Sequence, residues 1–220
     1  GFAAGTGDLR MTGVVDVVDA LVTRTMVFSG DDLYLSTGAA DGLTTLTTGL
    51  NTLTGVVVNA GGLVVNEVDG GITLTSVTTA DGAITVDAGG AVTATSVIGT
   101  DGTVTLSAGG LLTAGDVQAN DSGTTGLYDV VLSTTGGGMV LTSVTADEDV
   151  SATADAGNVT IGSVSAGTQA GITATGGSID DAAANPDVVT DVSAATVVLS
   201  AATGIGGTAH VDTAVGALTA

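Results

Sequence analysis

Residues 70–108 read GGITLTSVTTADGAITVDA followed by GGAVTATSVIGTDGTVTLSA, which are two successive copies of one pattern. The pair Gly70-Gly71 recurs as Gly89-Gly90, and a second glycine mark, Asp-Gly, recurs at the same place in each copy. Glycine and Asp-Gly pairs are typical of turns, so each copy is bounded and divided by turn signals. The repeat length, about 20 residues, is that of a solenoid coil.

The segments between these turns alternate in polarity. In Ile72–Thr75 and again in Ile84–Asp87, an apolar residue is followed by Thr or Asp. A period of two places alternate side chains on opposite faces of a β-strand. Each copy is therefore predicted to contain two strands and two turns. One copy has too little apolar surface to fold alone, so the copies must stack into an all-β solenoid of about 20 residues per coil.

The same rhythm organises the chain as a single elongated solenoid, residues 1–220. Residues 1–55 are the least regular, and residues 56–220 carry the regular repeats. One repeat is longer than the others, and its extra residues are polar and rich in glycine, which predicts a loop near 119–127. A segment that contains the only proline, Pro186, predicts a second loop near 180–191.

Alignment of the copies predicts which side chains face the core. The aligned sets are Ile72, Val92 and Leu112; Leu74, Ala94 and Ala114; Ile84 and Val104; Val86 and Leu106; Ala88 and Ala108. Further along the chain the predicted inward residues are Val140, Val159, Ile161, Ile172 and Val198. With strands spaced about 4.8 Å apart, we expect about eleven coils and a rod roughly 50 Å long. The ends of such a rod would be unpaired sheet edges, which favour end-to-end pairing with other copies or with flanking repeats.

Composition and charge exclude several classes of partner. The formal net charge is −21 at pH 7, and Lys and Arg together number 2. Nucleic acids and anionic membranes attract basic surfaces, so neither is a predicted partner. The segment Val192–Val211 is interrupted by Gly204, Gly206 and Gly207, so we predict no membrane insertion.

The residues also predict a protein without catalytic activity and without a required cofactor. The chain has 1 His and no Cys. His210 and Asp212 could belong to a Ser–His–Asp arrangement, but no nucleophile turn accompanies them. The paired acids Asp31-Asp32 and Asp180-Asp181 are predicted to be turn residues.

Calcium is the best-supported ligand. Asp81 and Asp101 occupy equivalent positions in successive copies, and Asp147, Glu148 and Asp149 form a denser acidic group at a similar turn. Stacked carboxylates repel one another unless a cation lies between them. The alternative interpretation is that Asp precedes Gly because this pair suits a tight turn.

Threonine supplies another hypothesis. Thr73 and Thr75 repeat as Thr93 and Thr95, so they would stack as ladders on one flat face. A regular array of Thr on a flat solenoid can bind ice. Thr is, however, also a favourable polar residue for any outward strand position.

The repeats resemble those of filamentous-haemagglutinin-like giant bacterial adhesins. The resemblance lies in residues 70–97, in GNVTIGSVSA (157–166), in GSIDD (177–181) and in GIGGTAHVDTAVGALTA (204–220). It implies a right-handed parallel β-helix at the bacterial cell surface or shed from it. It further implies a non-catalytic structural or adhesive role, as a stalk segment or as the subunit of an extracellular filament, with cell-surface glycans as candidate ligands. The alternatives are a carbohydrate-binding or polysaccharide-acting β-helix, or an ice-binding solenoid.

Overall fold

A computed structural model describes residues 2–3, 9–10, 24–37, 44–58, 61–67, 70–123, 127–182 and 189–219. These residues form strands and turns and include no helix. The strands are β1 (Phe2–Ala3), β2 (Leu9–Arg10), β3 (Arg24–Thr37), β4 (Thr44–Val58), β5 (Leu63–Glu67), β6 (Ile72–Leu74), β7 (Val77–Thr79), β8 (Ile84–Ala88), β9 (Val92–Thr100), β10 (Val104–Ala108), β11 (Leu112–Asn120), β12 (Val130–Thr134), β13 (Met139–Ala146), β14 (Asp149–Ala154), β15 (Val159–Ile161), β16 (Val164–Ala166), β17 (Gln169–Ala174), β18 (Ser178–Asp181), β19 (Val192–Ala201), β20 (Gly204–Ile205) and β21 (Thr213–Thr219).

Successive coils pair in parallel, which confirms the predicted all-β solenoid. The residue Ile84 of β8 pairs with Val104 of β10, and Val104 in turn pairs with Val130 of β12. The coils are about 20 residues apart and make about 8 turns. At about 4.8 Å per coil, these turns correspond to a rod of about 40 Å. These turns extend from β5 to β21, and β1, β3 and β4 precede β5 in the same ladder. Eleven strands therefore stack in succession, in agreement with the predicted number of about eleven coils, and the whole ladder corresponds to a rod of about 50 Å.

Each coil has three faces, not the two strands that the sequence predicted. We call them face A, represented by Ile84–Ala88, face B, represented by residues 92–94, and face C, represented by residues 97–99. Faces B and C were read as one strand because Thr95-Ser96, where they meet, carries no glycine or proline. Strand β9 bends there without a turn signal, whereas Gly89-Gly90 separates face A from face B.

Pairing assigns the strands to the faces. Strand β4 pairs with β5, β6 and β7 and so covers all three faces. Beyond β4, face A comprises β5, β8, β10, β12, β14 and β17; face B comprises β6, β15, β18 and β20; face C comprises β7 and β16. The longer strands β9, β11 and β13 cover faces B and C, and β19 and β21 cover faces C and A.

The inward columns are aliphatic and almost completely buried. The five predicted aligned sets, from Ile72 to Ala108, pair as predicted and are at most 3% exposed. Removal of this much apolar surface from water is the main stabilising contribution to the fold.

Two of the predicted core residues face outward. Val140 lies between the buried Met139 and Leu141, and it pairs with the outward Thr113. Val198 is likewise flanked by buried residues and is itself half-buried. Both were chosen for their hydrophobicity, but the period of two along a strand gives the inward position to their neighbours.

Buried threonines satisfy turn carbonyls at the ends of two strands. Thr79 and Thr134 are each 1% exposed. The Thr79 hydroxyl donates to the Gly82 carbonyl at 2.7 Å, and the Thr134 hydroxyl donates to the Gly137 carbonyl at 2.7 Å. Each hydroxyl thereby pairs with a carbonyl of the adjoining turn.

The two predicted loops are only partly described. Strand β11 extends to Asn120 and β12 begins at Val130, and residues 124–126 between them lie outside the described residues. Strand β18 extends to Asp181, and residues 183–188 also lie outside the described residues. Asp180-Asp181 and Asp31-Asp32 lie in strands β18 and β3, so the prediction that they are turn residues was wrong.

Candidate functional site

The five predicted calcium ligands all lie on the corner between face C and face A. Asp81 follows β7, and Asp101 follows β9. Asp147 and Glu148 lie between β13 and β14, and Asp149 begins β14. Two further acids, Asp121 and Asp129, flank the loop on the same corner. We call these seven residues the acidic corner.

Two carboxylates of the acidic corner hold the beginning of the loop that follows β11. Asp101 accepts a hydrogen bond from the Ser122 amide at 2.8 Å and another, short, hydrogen bond from the Ser122 hydroxyl. From the next coil, Asp147 accepts the Asp121 amide at 2.6 Å. Asp101 adopts a φ of 56°, in the left-handed region that Asp tolerates better than most residues.

Three further carboxylates accept amides of neighbouring coils in the same way. Asp129 accepts the Asp149 amide at 3.2 Å, and Asp149 accepts the Gln169 amide at 3.0 Å. Glu148 accepts the Tyr128 amide at 3.4 Å. These acceptors suit corner amides because a charged oxygen forms a stronger hydrogen bond than a neutral one.

This arrangement does not gather the acids around one point. Every carboxylate with a contact described above accepts a different amide, and among the described residues no group of three or more His, Cys, Asp or Glu side chains could hold a metal ion. Calcium commonly takes six to eight oxygen ligands. The role of Asp81, Asp101, Asp147, Glu148 and Asp149 in calcium binding therefore stays a prediction, and the contacts described above give the last four a structural role.

The residues considered for catalysis lie near the last turn. His210 is exposed in the segment between β20 and β21. The Asp212 amide donates to the Asp191 carboxylate at 2.7 Å, and Asp191 is 1% exposed. The absence of catalytic activity stays a prediction.

A shallow depression of about 400 Å³ lies where face A meets face B. Its lining comprises Asp87, Ala88, Gly89, Ser107, Ala108, Gly109, Ser133 and Thr135. Ligand pockets are usually lined by large apolar and aromatic side chains that can bury most of the ligand. This lining consists of small residues, so the depression gives little support to the carbohydrate-binding alternative.

The threonine ladder is longer than predicted but only one column wide. Thr52, Thr73, Thr93 and Thr113 pair in succession on face B, and Val140 then interrupts the column. The second predicted column fails because Thr75 and Thr95 lie at the bend between faces B and C rather than on a flat face. A single column does not provide the two-dimensional array on which the ice-binding hypothesis depended.

Sequence reasoning missed the corner contact of Asp129 and the burial of Asp181 and Asp191. The spacing of Asp101, Asp121 and Asp147 follows the coil repeat once the longer coil is allowed for. This spacing could have predicted that the three residues lie on one corner of the solenoid. Asp181 pairs with Ile161, at the end of an inward column that is otherwise aliphatic, and no feature of the sequence distinguishes it from an outward acid.

Comparison of the chain with protein-family models, with curated proteins and with solved structures found no match. No helix in the described part of the chain is long and apolar enough to cross a membrane.

Proposed function

We propose that this chain is a stiff structural rod in an extracellular, adhesin-like protein of a bacterial surface, either as a stalk segment or as the repeating subunit of a filament. The observation that supports this proposal most strongly is the continuity of the inward columns. On face A, the column Ile84, Val104, Val130, Val150 and Ala170 is at most 1% exposed.

Such a column transmits stiffness along the rod. Each coil packs only against its neighbours, so bending the rod requires apolar contacts and backbone hydrogen bonds to open together. Short backbone hydrogen bonds also join the coils at the corners. The Gly90 amide, for example, donates to the Gly70 carbonyl at 2.7 Å. A rod built in this way needs no large side chains in its core.

The surface chemistry suits a rod that projects through water. With a net charge of −21, rods repel one another laterally. Outward positions on the faces hold mostly Thr, Ser and Val, and most acids of the described coils lie at the corners. Under this proposal the partners are other copies joined end to end or the flanking repeats of a longer chain, with cell-surface glycans as candidate ligands of the assembled protein.

Electron microscopy of the purified 220-residue chain, combined with sedimentation velocity, tests the proposal. We expect either uniform rods about 50 Å long, as a stalk segment would give, or long filaments of constant width, as a subunit would give. Compact particles without an elongated axis would overturn the proposal. Repeating both measurements with millimolar calcium shows whether the acidic corner affects the assembly.

A control variant separates assembly from misfolding. Leu106→Asp places a charge in a core position that is 0% exposed, whereas Ser107→Asp places it on the outer face of the same strand. We expect the Ser107 variant to keep the elongated shape and the Leu106 variant to lose it. An elongated shape that survives in both variants would contradict the proposed core.

A further inference from the structure

The outer edge of strand β18 is only partly covered by the next strand. Strand β20 pairs with β18 at Ser178 and Ile179 alone. After Ile205 the chain leaves the strand path at Gly206, which has a φ of 64° and donates its amide to the Ile179 carbonyl at 2.8 Å. We call residues 206–212 the covering segment, since they take the place of a strand beside the remainder of β18.

One carboxylate holds the first half of the covering segment. Asp180 accepts the Thr208 amide at 2.8 Å, and the amides of Gly207 and Ala209 also lie close enough to stabilise its charge. Its other oxygen accepts the Ser178 hydroxyl at 2.6 Å. Asp180 thus occupies a nest of three consecutive backbone N–H groups, an arrangement that favours an anion.

The other contacts of the covering segment are distributed unevenly. Beside Asp180, the Asp181 amide reaches the Ala209 carbonyl only at 3.5 Å. At the far end, Asp191 accepts the Asp212 amide at 2.7 Å and donates its own amide to the Asp212 carbonyl at 2.9 Å. Among the hydrogen bonds described here, that of the Asp180 carboxylate is therefore the shortest that holds residues 207–209 beside β18, where Ala209 is also buried, while the far end has an independent anchor.

We propose that the Asp180 carboxylate is a proton-sensitive clamp: ionised, it holds residues 207–209 against β18, and on protonation it releases them and uncovers the edge of that strand. The inference is independent of whether the rod is a stalk or a filament subunit. Protonation would therefore expose a surface for association with a second copy, because an uncovered strand edge presents backbone groups that can pair with a strand of that copy.

The direction of the pH dependence follows from the contacts. The Ser178 hydroxyl, followed by the Thr208 amide, lowers the pKa of Asp180 below its ordinary value, and partial burial opposes them. A carboxyl whose pKa is lowered in the clamped state stabilises that state fully above the ordinary value, about 3.9. The stabilisation is lost as the pH falls through the lowered pKa.

Other titratable groups near the clamp must be distinguished from Asp180. Asp181 follows Asp180 on the same strand with its side chain buried, and Thr160, the partner of Asp180 on β15, carries no charge. The covering segment contributes His210 and Asp212, and Asp191 faces Asp212. Variants at His210 and Ser178 separate their effects from that of Asp180.

Amide hydrogen exchange of the whole chain, measured by NMR and corrected for the intrinsic pH dependence, tests the clamp. At neutral pH we expect Asp180→Ala to reduce the protection of the Thr208 amide at least about 10-fold, as loss of a charge-assisted hydrogen bond implies. The matched control, Asp155→Ala, removes an exposed acid from a different corner and should leave this amide unchanged.

The wild-type protein provides the second measurement, which holds even if Asp180→Ala does not fold. Protection of Thr208 and Ala209 should fall with acid while the core amides of β8 stay protected. Ser178→Ala should move the midpoint of this loss to higher pH, and His210→Gln should leave it in the acid range. The proposal is overturned if these amides stay protected through the acid range, if they open only with the core, or if the midpoint follows His210.

Discussion

Gly90 lies directly against Gly70 of the preceding coil. A methyl group added at Gly90 would lie 2.6 Å from the carbonyl carbon of Gly70, and the Gly90 amide donates to the Gly70 carbonyl oxygen at 2.7 Å. The two backbones meet where face A turns into face B, so glycine is required at this position by the spacing between coils. Its neighbour Gly89 is free of this restriction, since nothing lies within 4 Å of a methyl group there.

This pair of adjacent glycines gives a matched test of corner packing. Gly90→Ala should lower the free energy of unfolding by about 1–3 kcal/mol or more, because the coils must separate to admit the methyl group. Gly89→Ala should be neutral or slightly stabilising, because it reduces the freedom of the unfolded chain. Urea unfolding followed by circular dichroism measures both. Equal losses in the two variants would show that the corner tolerates more space than the structure indicates.

The alternation along β8 predicts an equally sharp contrast. Ile84 is 0% exposed, whereas Thr85 points outward on the same strand. Ile84→Asp should cost more than about 4 kcal/mol, because it buries a charge without a partner and removes an aliphatic contact. Thr85→Asp should cost less than about 1 kcal/mol. The comparison uses thermal unfolding at neutral pH, and a larger loss for the Thr85 variant would reverse the assigned faces.

Periodicity explains both the success and the failures of the sequence analysis. The columns from Ile72 to Ala108 were predicted because glycine marks fix the alignment of successive coils. Val140 and Val198 were assigned to the core by hydrophobicity alone, and the register of their strands placed them outside. The third face could not be predicted, because Thr95-Ser96 bends the chain without glycine or proline.

The buried Thr79 predicts a measurable contribution from a single hydroxyl. Thr79→Val keeps the size of the side chain but leaves the Gly82 carbonyl without the hydrogen bond that it accepts at 2.7 Å. We expect a loss of about 1 kcal/mol in the free energy of unfolding. The control is Thr93→Val on the outer side of face B, where the hydroxyl is exposed and the change should be nearly neutral. Should Thr79→Val stabilise the protein, the turn carbonyl must find another donor.

The candidate site was less predictable than the fold. The repeat placed Asp81 and Asp101 at equivalent corners, which the structure confirms. What each carboxylate accepts depends on its neighbours, and the partners of Asp101 and Asp147 lie in a loop that departs from the repeat. A search for metal ligands by charge density alone therefore could not recognise their amide partners.

The two interpretations of the acidic corner predict different responses to calcium. Asp101 uses both carboxylate oxygens on Ser122, so Asp101→Ala should release the loop and lower stability by about 1–2 kcal/mol even in the presence of a chelator. If this is its whole role, the loss is the same with millimolar calcium. If calcium binds at the corner, the metal stabilises the wild-type protein by mass action and the difference between the two proteins grows with calcium concentration. We expect equal losses in thermal unfolding with chelator and with calcium, since both oxygens of Asp101 already accept hydrogen bonds from Ser122. Asp155→Ala, away from this corner, controls for the removal of one charge, and a calcium-dependent difference confined to Asp101→Ala would establish a metal site.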